Sequence, residues 1–223
     1  MNTEMMRTAR ASTLPVGTVN RVLRNTYALL AMLFVFGAGT SWLAMNQGWN
    51  IGFWPFVIGI VAFSFAITAA RNSAWGIVLG FAFSGFLGIV TGANVNAALS
   101  TYSNGGMLVA SAFALTALMF FGLSAYAMTT KRDFSGWAAF LGVGTLAVFG
   151  AFILNYWLAL PALWLAISTM VVLLASGWII WHTQQIVRNG ETNYIMAATG
   201  LLVDIFALFN NLLALLGVGF GDD

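Results

Sequence analysis

The 223 residues include no cysteine and a single histidine, and charged side chains make up only 6% of them. The missing cysteine excludes disulfides, thiolate metal sites and cysteine nucleophiles. A lone His182 excludes a three-histidine zinc site. The shortage of charge says the most. A soluble domain carries roughly 25% charged residues, whereas here 61% of residues are apolar and a water-facing surface cannot be built. The solvent of this chain is lipid. Lysine is reduced to Lys131, which falls between apolar runs, so a lysine-linked chromophore inside a span is excluded. No glycine-rich phosphate loop follows a strand, and no basic patch is large enough for nucleic acid. Ser84, in Ala82-Phe83-Ser84-Gly85, lacks the first glycine of an intramembrane serine-protease motif, and His182 lies at a different depth. No cofactor or metal is expected, and the chain reads as a non-enzyme.

What is present is a series of long apolar runs, at about 26–47, 51–70, 74–94, 106–128, 136–157, 162–183 and 194–219. Each reaches the roughly 20 residues that cross a hydrocarbon core. They are continuous rather than alternating, so helices rather than a barrel are expected. Before them, residues 1–24 are polar and show no cleavable signal. Seven spans sort the basic residues onto one side: Arg7, Arg10, Arg21 and Arg24, then Arg71, then Lys131 and Arg132, then Arg188. The positive-inside rule places that side, with the N-terminus, in the cytoplasm and the Gly221-Asp222-Asp223 tail in the periplasm. The expected organisation is a cytoplasmic tail at 1–20 and one transmembrane domain at 21–223.

Small residues recur at close-packing intervals. Gly76, Gly80, Gly88 and Gly92 mark the third span and Gly142, Gly144 and Gly150 the fifth; such spacing lets backbones approach. Trp42, Trp49, Trp54, Trp75, Trp157 and Trp178 fall mostly near predicted interfaces, where aromatic belts form.

Two ionisable side chains inside the spans call for an explanation. Asp204 lies about 15 Å along the seventh span, near the midplane. A carboxylate there faces the bundle interior, a partner or water, and is a functional candidate; the plainer reading is a protonated Asp bonded to a neighbouring helix. His182 lies at the end of the sixth span, about 7 Å from Asp204 in nominal depth. If the two meet they titrate as a unit and form a pH-responsive latch. A histidine snorkelling to the interface is the alternative. Asn211 shares the face of Asp204, which suggests a central helix lining a cavity, and Asn210 does not. Arg71 is either a counter-charge or a positive-inside anchor.

Several segments resemble the Bax inhibitor-1 family and its bacterial YccA branch. They are Arg21-Val22-Leu23-Arg24-Asn25-Thr26-Tyr27, Phe81-Ala82-Phe83-Ser84-Gly85-Phe86-Leu87-Gly88, Ser124-Ala125-Tyr126 with Thr129-Thr130-Lys131-Arg132-Asp133, and Leu160-Pro161-Ala162-Leu163 followed by Leu165-Ala166-Ile167-Ser168. The most specific is Gly190-Glu191-Thr192-Asn193-Tyr194-Ile195. The resemblance implies seven helices with the last surrounded by the other six. It also implies two functions. One is modulation of the membrane protease FtsH through the N-terminal tail, opposing degradation of membrane proteins such as SecY. The other is a pH-sensitive calcium or cation leak, in which an aspartate latch on the last two helices is joined by an arginine near the end of the second. Asp204 matches the last-helix aspartate, His182 stands where the partner aspartate would be, and Arg71 is in the region of the arginine. The implied partners are membrane lipid, FtsH with its membrane scaffold, and calcium or protons.

Overall fold

The computed structural model describes residues 16–188 and 191–222. Seven helices form in chain order: α1 (Val16–Gln47), α2 (Phe53–Ala70), α3 (Ala74–Thr101), α4 (Gly105–Thr129), α5 (Trp137–Leu158), α6 (Pro161–Val187) and α7 (Tyr194–Phe220). Each is long and apolar enough to span a bilayer, so the chain is a multi-pass membrane protein. Three helices outrun the expected spans. α1 begins ten residues early, α3 continues through Asn94 and Asn96 to Thr101, and α6 runs past His182 to Val187. Hydropathy reports where lipid ends. A helix stops only where a breaker or cap stops it, and no proline falls inside these extensions.

The last helix is the central one. It packs directly against α1, α3, α4 and α6, while α2 is held through α3 and α5 through α6. The two outer helices meet each other in an aromatic stack, Phe53 on Tyr156 at 4.0 Å with Phe152 and Trp54 alongside. Burial follows this order. α7 hides a dozen residues, from Ile195 and Ala198 through Leu201, Leu202 and Leu208 to Gly217, whereas Leu141 alone is buried on α5.

The tightest interface, α1 on α3, is where the small residues act. A Cβ at Gly88 would overlap Thr40 Oγ1 and the Gly37 carbonyl, and one at Gly92 the Ser41 carbonyl. Beside them Ser84 donates a 2.5 Å hydrogen bond to the Leu33 carbonyl across the interface, so this serine is structural. Without a hydrophobic driving force between helices, contact at this distance is what binds them. The α5 glycines divide: Gly144 sits against Leu174, but Gly142 and Gly150 meet open space.

The six basic residues among the described ones gather at one end of the bundle, whose loops are cross-tied. Asn193 caps α7 by accepting from the Ile195 and Met196 N–H groups. Its amide donates to the Arg71 carbonyl at 2.7 Å and to Asn72 Oδ1 at 3.1 Å. Glu191 in turn accepts from the Asn193 N–H. The described part of the motif, Glu191-Thr192-Asn193-Tyr194, is thus a helix cap that also ties the central helix to the α2–α3 turn. Buried Gln184 fastens the α4–α5 loop, accepting from the Phe134 N–H and donating to the Arg132 carbonyl; Arg188 donates to the Thr130 carbonyl. In the same loop the Ser135 N–H holds the exposed Asp133 carboxyl below its ordinary value. At the opposite end Asn104 and Ser103 bind the backbone of Phe220 and Asp222. Both ends of α7 are pinned.

Candidate functional site

Asp204 faces α6, and its carboxylate Oδ2 lies 2.8 Å from His182 Nδ1. The side chain of Asp204 is 7% exposed and that of His182 21%, so the pair is largely withdrawn from solvent. It is the only ion pair among the described residues. Nδ1 and Oδ2 can approach this closely only with a proton between them, whichever atom carries it. The nominal depth gap between the residues is closed because α6 continues for more than a turn past His182 and packs tightly along α7.

The imidazole is held on several sides. The Trp178 ring stacks on it with centroids 5.5 Å apart and planes 27° apart, and Trp181 meets it edge-on at 5.2 Å. Trp178 was expected as an interfacial anchor. Trp42, Trp49, Trp54, Trp75 and Trp157 are exposed as anchors should be, but Trp178 turns inward and donates its indole N–H to Thr145 Oγ1 on α5 at 3.0 Å. Beneath the ring is Gly200, one helical turn before Asp204.

The pair lies in the wall of a cavity of about 340 Å³ between α5, α6 and α7, otherwise lined by groups such as Val148, Leu174, Val203 and Ala207. A second cavity, about 260 Å³, lies in the other half of the bundle between α1, α3, α4 and α7, with Phe34, Trp42, Phe113 and Phe206 in its wall. Both reach the same stretch of α7: Val203 and Asp204 face the first, Ile205 and Phe206 the second.

The other expected site residues lie elsewhere. Arg71 is exposed at the end of α2. Its carbonyl accepts from Asn193, and no carboxylate among the described residues lies within ion-pair distance of its guanidinium. Asn211 bonds back to the Ala207 carbonyl of its own helix. Asn210 is the residue that reaches across: its amide donates to Thr91 Oγ1 at 2.9 Å and its carbonyl accepts from Asn94 at 2.8 Å. Sequence spacing missed this polar junction between α3 and α7, although two asparagines and a threonine at the same depth on two spans were a usable signal. No group of three or more His, Asp or Glu side chains among the described residues could hold a metal ion.

This architecture has relatives. The family model described as Inhibitor of apoptosis-promoting Bax1 matches residues 19–221. The chain is 40% identical to an uncharacterized protein of Pseudomonas aeruginosa over 92% of both chains. It is 38% identical to the Escherichia coli protein named modulator of FtsH protease YccA, over 92% of this chain and 93% of that one. An uncharacterized membrane protein of Vibrio cholerae is 38% identical over the whole of both. With seven spanning helices, a central last helix and a family match over nearly its whole length, this protein belongs to the Bax inhibitor-1 family, in its YccA-like branch.

Proposed function

We propose that this protein is an inner-membrane modulator of an FtsH-type protease, with its N-terminus in the cytoplasm and its C-terminus in the periplasm. The observation that carries this reading is the 38% identity, over 92% of the chain, to the E. coli modulator of FtsH protease. The orientation rests on the basic residues collected at one end. The handle for the protease is the N-terminal tail, residues 1–20, most of which lies outside the described residues. The seven-helix body from residue 21 onward anchors that tail in the membrane. The test is co-purification with FtsH and pulse-chase turnover of a membrane substrate, comparing the full chain with one lacking residues 1–15. The full chain is expected to retain FtsH and slow turnover, and the shortened chain to do neither. Equal behaviour of the two chains would remove the tail as the handle, and no effect from the full chain would remove the reading.

A second reading is favoured by the His182–Asp204 pair: a pH-responsive cation leak, with calcium as the cation. The pair supplies a proton-dependent contact between α6 and α7, and two cavities approach the α7 segment that carries it. Calcium flux into proteoliposomes across a pH series is expected to vary with pH in the wild type, and to lose that dependence in Asp204→Asn. Flux no greater than in empty liposomes, from folded protein, would end this reading and leave the modulator standing.

A further inference from the structure

The proton-responsive pair depends on a geometry that neither of its members can fix alone. Histidine rotates about two side-chain bonds, and His182 lies in the wall of a cavity large enough for the ring to swing into. The 2.8 Å contact with Asp204 therefore needs the ring to be held in place by its neighbours. One face is covered by Trp178, whose indole is fixed by its hydrogen bond to Thr145 on α5. The ring also rests against the bare backbone of Gly200. A Cβ placed there would stand 2.7 Å from His182 Nε2, 2.9 Å from Cε1 and 3.1 Å from Cδ2. These are below any ordinary carbon contact, and every atom struck belongs to the ring, so a methyl group at 200 displaces the imidazole itself. Gly200 is helical and its φ is unexceptional, so backbone conformation does not call for glycine here. Space for the ring does.

We infer that Gly200 and Trp178 are positioning residues that form a socket holding the His182 imidazole against Asp204, with Thr145 fixing the Trp178 wall. This rests on the reading of the pair as proton-responsive. The socket explains why a glycine, the least favourable helix former after proline, sits one turn before the buried aspartate of the central helix. It also links α5, which does not pack directly on α7, to the pair through the sequence Thr145, Trp178, His182, Asp204. Among the described residues no other titratable side chain lines the cavity: the rest of its wall is Thr145 and Val148 of α5 and apolar groups of α6 and α7.

The single histidine makes this testable directly. In full-length protein carrying a tag without histidine, labelled with ¹⁵N-histidine only, every imidazole signal comes from His182. Asp204→Asn is expected to shift the Nδ1 resonance, because the hydrogen-bond partner of that nitrogen changes. Gly200→Ala is expected to shift the same resonance and to cancel any further effect of Asp204→Asn. Thr145→Val is expected to broaden the ring signal by freeing Trp178. An Nδ1 resonance unmoved by Asp204→Asn would overturn the pair and the socket with it. A resonance moved by Asp204→Asn but not by Gly200→Ala would overturn the socket alone. Should Gly200→Ala fold poorly, the same change in a His182→Ala background, where the ring is gone, is expected to be neutral in a thermal melt. Equal destabilisation in both backgrounds would show that Gly200 serves helix packing and not the imidazole.

Discussion

His182→Ala is expected to destabilise the bundle by about 1–3 kcal/mol, the range for leaving one partner of a buried hydrogen bond unsatisfied. Asp204 is 95% withdrawn from solvent as a residue by the same packing that builds the central helix, and no other side chain among the described residues stands within hydrogen-bond distance of its carboxyl. Loss of the imidazole leaves that carboxyl facing a mostly apolar cavity without a partner. Thermal unfolding of the wild type and the variant in detergent, run side by side, reads this loss. The double change His182→Leu with Asp204→Leu removes both polar groups and is expected to recover most of the stability. A double variant as unstable as the single one would mean that the pair is not an energetic unit.

Which parts of this were legible in the sequence follows from the range of the signals involved. Span number and the collection of basic residues at one end are properties of local composition, and both agree with the structure for the described residues, outside which Arg7 and Arg10 lie. Asp204 announces itself because a carboxylate in an apolar run is costly wherever the helix packs. Its partner was harder, because the end of an apolar run is not the end of a helix: α6 continues past His182, and that extra turn sets the depth at which the two meet. Asn211 followed from helical periodicity, which identifies neighbours on one face of α7 but not what lies opposite. Since α7 is contacted by four helices, the choice between Asn210 and Asn211 depended on α3, and on Thr91 and Asn94 arriving at the same level. Trp178 and Gly200 share that dependence. A tryptophan near a span end and a glycine within a span have ordinary explanations, and only the imidazole between them gives both a specific one.

The same dependence on the facing helix separates two glycines that spacing treats alike. Gly88→Leu is expected to break the docking of α1 on α3, while Gly142→Leu is expected to be nearly neutral. At Gly88 the missing side chain is replaced by the backbone of α1: the Gly37 carbonyl and the Thr40 hydroxyl, itself bonded to that carbonyl at 2.9 Å, occupy the position of a Cβ. Backbone cannot rotate aside as a side chain can, so the helices must separate. Even Gly88→Ala should cost about 1–3 kcal/mol, the usual range for overpacking, and leucine more. Separation would also strain the Ser84 bond to Leu33 and the contact of Gly37 with Phe206, carrying the effect to the central helix. At Gly142 nothing lies within 4 Å, so a leucine side chain extends into lipid at no steric cost. Leucine also favours the helix over glycine by up to about 1 kcal/mol, which can make that change slightly stabilising. Melting temperatures and monodispersity of the two variants, purified side by side, decide the matter. Equal losses at the two positions would mean that glycine is needed along the spans for a reason other than the closeness of α1 and α3.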